Sequence, residues 1–211
     1  RQALADSGGD GVVAVHISSA LSGTCGAAQR TAAEIGSAVR VIDSKSAAMG
    51  TGFVALAAAR AAAAGGNLNS VADAASSAVS RSRAFIVVHG LDNLRRSGRI
   101  GGAKAWLGTA LSLKPLLCIE DGKLVLAQRV RTVTKATATM LDRVCQAVGD
   151  GTAVLAVHHV ANPEGANDVA AALAQRLPAC EPAIVTSLGP VLGVHVGPGA
   201  VAVCLDLAAG G

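Results

Sequence analysis

A cluster of hydroxyl groups near the start of the chain has the residue types and spacing of an anion-binding turn. It follows an apolar run at 11–17 that predicts a buried strand, and it precedes an Ala-rich helical pattern at 25–35. The start of a helix exposes unpaired amides and the positive end of the helix dipole, so such a turn can hold a carboxylate or a phosphate. The donors, and the glycine that lets a ligand approach closely, are Ser18, Ser19, Ser22, Gly23 and Thr24. The alternative hypothesis is that Ser22 or Thr24 only caps the helix.

A second polar turn follows the next apolar run. Residues 39–43 predict another strand, which ends at Asp43-Ser44. Strands separated by helices of about ten or more residues favour βαβ units and a parallel sheet, whose ligands bind beyond the carboxyl ends of the strands. The sequence therefore predicts that Ser44 and the hydroxyl cluster lie at the same edge of one sheet.

A histidine among glycines and prolines is the main candidate in the second half of the chain. His195 lies between Gly193 and Gly197 in the segment 188–200, which we predict to be a loop with a tight backbone. A histidine on a loop can donate a hydrogen bond to a carboxylate and gain positive charge beside it. The alternative is a structural histidine whose hydrogen bonds are satisfied within the protein.

Two arginines are singled out by their positions in the sequence, and the basic segment that contains the first could bind an anion or an acidic partner. Arg99 ends the basic segment 95–99, and its guanidinium is a fixed cation with a planar set of donors. Arg131 follows a predicted strand and precedes a predicted helix. The alternatives are that Arg99 is a surface residue between two domains and that Arg131 is merely an exposed residue near a helix start.

The remaining pattern alternates helices and strands. Gly65-Gly66 ends a long helix, Asn69 or Ser70 can cap the next one, and Asp121-Gly122 between apolar runs predicts a hairpin. Helices are predicted at 49–64, from 69 or 70 to 80, and at 103–113, 135–148 and 163–177, and strands at 84–88, 116–119, 124–126, 153–159 and 183–187. This order predicts an α/β protein of two lobes, with parallel strands in the first lobe and the hairpin and two later strands in the second.

Composition limits the classes of function. The chain has 211 residues, of which 51% are hydrophobic and 15% charged, so we expect a folded core, and the formal net charge is only +4. With one Trp, two Phe and no Tyr, stacking on the bases of a nucleic acid is not expected. The five cysteines contain no Cys-x-x-Cys pair, which argues against zinc and indicates reduced thiols in a cytoplasmic protein. No signal peptide or membrane-spanning segment is expected.

The sequence shows no convincing catalytic machinery. It lacks a phosphate-binding P-loop, a dinucleotide fingerprint after a strand, a nucleophile elbow and a carboxylate pair. The neighbouring histidines His158 and His159 would point to opposite faces of a strand, so we expect no metal site there, and no cofactor is predicted. A binding protein is favoured. The alternative is a small-molecule phosphotransferase or phosphatase with a phosphate at Ser22-Gly23-Thr24, against which the missing metal-binding carboxylates argue.

Several motifs together resemble the DegV family of bacterial fatty-acid-binding proteins, in the family's order and over nearly the whole chain. The first is Ser-Ser-x-Leu-Ser-Gly-Thr at 18–24, and a glycine-rich motif around His195 at 189–199 is the next most specific. The others are Val-Ile-Asp-Ser at 41–44, Leu-x-x-Leu-x-x-x-Gly-Arg-Ile at 91–100, Lys-Pro-Leu-Leu at 114–117 and Val-Arg-Thr at 130–132. One departure is Cys25, where the family often has an aromatic residue.

The resemblance implies a fold, a ligand and a partner. It implies an N-terminal parallel α/β lobe at 1–98, lacking its first strand, a second α/β lobe at 99–211, and a ligand cleft between them. The ligand would be a long-chain fatty acid, whose carboxylate the protein presents to a separate fatty acid kinase subunit that phosphorylates it, with Arg131 contacting the kinase. The ligand-binding residues expected on this basis are Ser18, Ser19, Ser22, Gly23, Thr24, Ser44, Arg99, His195 and Gly197.

Overall fold

A computed structural model describes residues 2–100 and 114–208, which form two compact units, 1–82 and 83–211. In chain order the elements are α1 (Gln2–Asp6), β1 (Val12–His16), α2 (Thr24–Ile35), β2 (Val39–Asp43), α3 (Met49–Ala63), α4 (Leu68–Arg81), β3 (Ser82–Val87), α5 (Asp92–Ser97), β4 (Leu116–Glu120), β5 (Lys123–Gln128), α6 (Val133–Val148), β6 (Ala153–His159), α7 (Pro163–Arg176), β7 (Ile184–Ser187), α8 (Pro190–Val196) and β8 (Val201–Leu207). The α/β class is confirmed. The helix predicted at 103–113 lies outside the described residues.

The first unit contains a parallel pair of strands. β1 pairs with β2 from Val12 opposite Val39 to His16 opposite Asp43, so both strands end at the same edge. Val13 and Val15 are two residues apart in the strand and so lie on the same face, where they pack against the apolar residues of α3 and α4. This arrangement confirms the predicted parallel strands and brings together the two polar turns that follow them.

The second unit contains a six-stranded sheet in the order β5-β4-β3-β8-β6-β7. The predicted hairpin is confirmed, because β4 and β5 pair antiparallel and Asp121 and Gly122 have φ values of 47° and 79°, as a tight hairpin turn requires. β6 pairs parallel with β7 and antiparallel with β8. The core lies between this sheet and helices α6 and α7, and its completely buried members include Met140, Val157 and Leu173.

Two predictions about this architecture were wrong. The strand predicted at 84–88 exists as β3, but it pairs antiparallel with β4 in the second unit and does not extend the first unit's parallel sheet. The two compact units accordingly divide after Ser82. The N-cap of α4 is Asn67, whose side chain accepts hydrogen bonds from the amides of Asn69 and Ser70. β8 was not predicted, although its run of β-branched and apolar residues is typical of a buried strand.

Candidate functional site

The turns after β1 and β2 are joined by backbone hydrogen bonds. The amide of Ser18 donates to the carbonyl of Ser46 at 2.8 Å, and the amide of Ser44 donates to the carbonyl of His16 at 3.0 Å. We call residues 18–24 the serine turn. Its position beyond the carboxyl ends of two parallel strands is the usual position of a ligand site in such sheets.

Ser18 shapes the serine turn from inside. Only 1% of its surface is exposed, its carbonyl accepts from the amides of Leu21 and Ser22 at 3.0 Å, and its hydroxyl accepts from the amide of Ala20 at 3.2 Å. These bonds fold the turn so that Ser22, Gly23 and the start of α2 come next in the chain. Among the predicted ligand residues, Ser18 therefore has a clear structural role.

The start of α2 keeps unpaired donors. Its N-cap residue is Gly23, which has no side chain to cap the helix, and the hydroxyl of Ser22 accepts from the amide of Thr24 at 3.4 Å. Within the described part of the chain, the amides of Cys25 and Gly26 have no hydrogen-bond acceptor. The hydroxyls of Ser22 and Thr24 lie 3.2 Å apart beside these amides. The capping alternative therefore does not account for this turn, which retains the donors that an anion needs.

Cys25 is the second residue of α2, and its side chain is buried beneath the start of this helix. It is completely buried, and burial, with a smaller effect from the negative charge of Asp43, raises the pKa of its thiol. The thiol is therefore kept neutral. A neutral, buried thiol packs as a small apolar side chain and adds no charge to the serine turn.

The hydroxyl of Ser44 makes its hydrogen bonds with the segment that joins β2 to α3 and with the first turn of α3. Ser44 is buried, and its hydroxyl contacts Thr51 Oγ1 at 2.8 Å and the carbonyl of Ser46 at 3.2 Å. The turn is strained, because Lys45 and Ala48 have φ values of 48° and 50°, which only a well-supported backbone imposes on residues other than glycine. Such strain is concentrated at binding and catalytic sites. Thr51 was not among the predicted site residues, and only its proximity in the fold identifies it.

His195 lies in a helix and not, as predicted, in a loop. It occupies the last turn of α8, which begins with Pro190 and ends before Gly197. His195 is half-buried, and its buried Nδ1 has no hydrogen-bond partner among the residues the structure describes. An unpartnered buried ring nitrogen does not fit the structural alternative, in which the histidine is satisfied within the protein.

The glycines after His195 are shaped by close neighbours. Gly197 is buried at a φ of 83°, and a Cβ atom there would lie 2.7 Å from Asn93 Nδ2. Gly199 has a φ of 80°, and its Cβ would lie 2.6 Å from the ring of His89. The carbonyl of Gly199 also accepts from Asn162 Nδ2 at 3.1 Å. These contacts hold the chain that follows α8 and so fix the end of the helix that carries His195.

The two candidate arginines are both exposed. The guanidinium of Arg99 donates to the nearby carbonyl of Ser97, which is a local contact. Arg131 lies directly before Thr132, the N-cap of α6, and its guanidinium has no hydrogen bond or ion pair with any residue in the ranges described. Arg131 is therefore available for a partner, and Arg99 keeps its charge at the surface.

Comparisons with known proteins settle the family. The family model described as an uncharacterised protein family, DegV, matches residues 1–207. A DegV domain-containing protein of Mycobacterium tuberculosis is 75% identical over 209 residues, which are 99% of this chain and 75% of that protein. The chain belongs to the DegV family.

Solved DegV structures share the fold. A DegV family protein from Corynebacterium glutamicum matches with a TM-score of 0.92 at 34% identity, over 100% of this chain and 80% of that one. A DegV family protein from Thermus thermophilus, whose structure is described as showing fatty acid binding, matches with a TM-score of 0.86 at 32% identity, over 98% of this chain and 74% of that one. The resemblance seen in the sequence motifs is thereby confirmed.

Each unit of this DegV protein has an apolar groove of its own. In the first unit a groove of about 420 Å³ runs along Val13 and Val15 of β1 and the alanines of α3. In the second unit a groove of about 490 Å³ is lined mainly by apolar groups next to α8, with Asn93 and His159 at its wall. Small aliphatic side chains line both grooves, in keeping with a composition that is poor in aromatic residues.

The described residues of this DegV protein form no cluster of metal ligands. Within residues 2–100 and 114–208, no three His, Cys, Asp or Glu side chains come together as metal ligands. Burial lowers the pKa of His158, and the Nδ1 atom of His159 accepts from the amide of Asn162 at 3.3 Å. No helix in these ranges is both long and apolar enough to cross a bilayer.

Proposed function

We propose that this DegV protein binds a long-chain fatty acid and that the serine turn holds the carboxylate. The observation that carries the proposal is the exposed start of α2, where the amides of Cys25 and Gly26, unpaired among the described residues, lie beside the hydroxyls of Ser22 and Thr24. Hydrogen bonds from such groups to a charged acceptor are stronger than bonds between neutral groups. The relative from Thermus thermophilus, described as binding fatty acid, supports the same class of ligand.

The acyl tail supplies most of the affinity in this proposal. Burial of an apolar chain contributes roughly 0.8 kcal/mol per methylene, so a long tail outweighs a few hydrogen bonds to the head group. The serine turn then contributes more to the orientation of the ligand than to its affinity. Loss of one head-group donor should weaken binding without abolishing it.

We further propose that the protein has no chemistry of its own and presents the carboxylate to a kinase subunit. The kinase would transfer the γ-phosphoryl group of ATP to a carboxylate oxygen of the fatty acid, which forms an acyl phosphate and releases ADP. The guanidinium of Arg131, which is exposed and has no polar partner among the described residues, supports a docking role. We propose a cytoplasmic location, which is supported by five cysteines that are all free thiols.

Native mass spectrometry tests the ligand directly. The purified protein is measured intact, and the lipid extracted after denaturation is identified. A bound mass equal to a long-chain fatty acid supports the proposal. A protein that is empty and also takes up no added palmitate contradicts it, and binding of inorganic phosphate instead would favour the phosphotransferase or phosphatase alternative at the same turn.

Variants of the serine turn test the head-group site. Ser22→Ala and Thr24→Val remove one hydroxyl each, and we expect each to weaken palmitate binding by about tenfold. Ser37→Ala is the matched control, because Ser37 is exposed in the same unit and its hydroxyl makes no hydrogen bond within the described residues. Equal affinity of Ser22→Ala, Thr24→Val and Ser37→Ala would exclude the serine turn while leaving fatty acid binding itself intact.

The predicted contacts of His195 and Arg99 with the carboxylate need their own test. The unpartnered Nδ1 of His195 supports a role in ligand binding. We expect His195→Ala to weaken binding, and His195→Gln to retain part of it, since the amide can still donate a hydrogen bond. A loss of binding in Arg99→Ala, but not in Arg96→Ala, would assign a similar contact to Arg99.

A further inference from the structure

Asp43 connects the two turns of the first unit through its side chain. The hydroxyl of Ser19 donates to Oδ2 of Asp43 at 2.5 Å, and the amide of Ser19 lies 3.3 Å from both carboxylate oxygens. The amide of Lys45 donates to Oδ1 at 2.9 Å. One carboxylate at the end of β2 therefore holds the serine turn from one side and the following turn from the other.

These bonds decide what Ser19 can do. A serine hydroxyl has one proton to donate, and here that proton goes to Asp43. The amide of Ser19 points to the same carboxylate. To accept a hydrogen bond from Ser19, a bound carboxylate would have to displace Asp43. The two carboxylates carry the same charge, so nothing favours that exchange. Ser19 is therefore engaged with the protein, and the donors left for an anion are those of Ser22, Thr24 and the first amides of α2.

The hydrogen bond from the amide of Lys45 holds the side chain of Asp43 in place. Lys45 has a φ of 48°, a conformation that disfavours a residue with a side chain. Such a conformation persists only where the surrounding contacts impose it, and the hydrogen bond from the amide of Lys45 to Asp43 is one of those contacts. The carboxylate of Asp43 is thus held by the turn after β2 and in turn holds Ser19.

We propose that Asp43 is a positioning residue: it binds Ser19 so that Ser22, Thr24 and the start of α2 face the ligand carboxylate. The inference rests on the proposed function, and it refines the set of predicted ligand residues by moving Ser19 from the ligand to the support of the site. Asp43 acts through Ser19 and does not touch the fatty acid.

Hydrogen exchange tests the positioning without any ligand. Asp43→Asn keeps the size of the side chain but removes its charge and replaces one acceptor with a donor. We expect the amides of residues 18–24 to exchange about tenfold faster than in the wild-type protein, with α4 unchanged. Asp73→Asn is the matched control, since Asp73 is an exposed aspartate on α4. Unchanged exchange across 18–24 in Asp43→Asn would overturn the inference.

A double-mutant cycle tests the same connection through binding. We expect Asp43→Asn and Ser19→Ala each to weaken palmitate binding by about tenfold, and the double variant to be no weaker than either single one. Ser19→Thr, which keeps the hydroxyl, should retain the wild-type affinity. Additive effects would show that the two residues act separately and would overturn the inference. A wild-type protein that binds no fatty acid would refute the proposed function, and the exchange experiment would still decide the role of Asp43.

Discussion

Gly50 on α3 and Ser46 in the turn after β2 lie so close together that a Cβ atom at position 50 would overlap the hydroxyl oxygen of Ser46. Ser46 is buried, with 3% of its surface exposed, and its carbonyl accepts the amide of Ser18. The packing of α3 against this turn therefore bears directly on the serine turn. Only glycine at position 50 lets the helix approach so closely.

Gly50→Ala should destabilise the first unit. The added methyl group forces Ser46 or the helix to move, and overpacking of this kind costs about 1–3 kcal/mol. The free energy of unfolding, measured by chemical denaturation, checks the result. Gly26→Ala is the matched control, because among the described residues its Cβ would meet only the end of the Arg30 side chain, at 3.6 Å. Alanine is the better helix former, so this control should gain about 0.5–1 kcal/mol. Equal stabilities of the two variants would contradict the prediction.

Gly199→Ala should destabilise the second unit for two reasons. The residue has a φ of 80°, which costs an alanine about 1 kcal/mol, and its Cβ would lie 2.6 Å from the ring of His89. Gly98→Ala isolates the first cost, since Gly98 has a φ of 67° and no atom of the described residues lies within 4 Å of its Cβ. We expect Gly199→Ala to lose about 1 kcal/mol more than Gly98→Ala in thermal unfolding.

The contribution of His89 can be checked separately. In a His89→Ala background the collision disappears, so Gly199→Ala should then cost only as much as Gly98→Ala. A cost that is unchanged by His89→Ala would mean that backbone strain, or the hydrogen bond from Asn162 to the carbonyl of Gly199, accounts for the whole effect.

Local patterns predicted the elements better than they predicted the pairing between strands. Asp121-Gly122 is a short-range signal, and the hairpin follows from it. β3 has the same apolar, β-branched composition whether it pairs with a parallel or an antiparallel neighbour, so the sequence could not assign it to the second sheet. β8 could have been predicted from its apolar run. The error at His195 had a readable signal too, because Pro190 at the first turn and Gly197 after the last are typical helix boundaries.

The candidate site likewise has features that local sequence patterns predicted and contacts that they did not. The serine turn was predicted from a strand, a glycine-containing turn and a helix in succession, all of which are local features. The role of Asp43 depends on Ser19, 24 residues away in the chain, and the role of Thr51 depends on Ser44. The first contact is set by the parallel pairing of β1 with β2 and the second by the path of the turn between β2 and α3, and a single sequence reveals neither residue by residue.

Arg131→Glu should separate ligand binding from phosphorylation. Arg131 is exposed and makes no polar contact within the described residues, so charge reversal should leave folding and palmitate binding unchanged. With a DegV-associated fatty acid kinase and ATP, we expect formation of acyl phosphate to fall at least about tenfold, because a rim charge in an interface mainly affects association. Lys135→Glu, at a nearby exposed position on α6, is the control. Equal rates for wild type and Arg131→Glu would exclude docking through Arg131.

Cys118 should make the protein less stable at alkaline pH. Burial, the hydrogen bond from its thiol to Glu120 Oε1 at 3.3 Å and the charge of Glu120 raise the pKa of Cys118 from an ordinary 9.0 to about 12. Above pH 9.0 the unfolded chain releases this proton while the folded protein keeps it. Stability is therefore fully present below that pH and is lost as the pH rises toward 12, by at most about 1.4 kcal/mol per pH unit.

Denaturation at several alkaline pH values measures this loss. In Cys118→Ala the proton is absent from both states, so the decline in unfolding free energy between about pH 9 and pH 11 should be shallower than in the wild-type protein. Cys145→Ala, a change at a half-buried thiol on α6, controls for the loss of a cysteine from the same unit. If wild type and Cys118→Ala decline in parallel, groups other than this thiol carry the alkaline dependence. The wild-type thiol should also resist alkylation by iodoacetamide at pH 9, because the thiolate is the reactive form and the folded protein holds the neutral one.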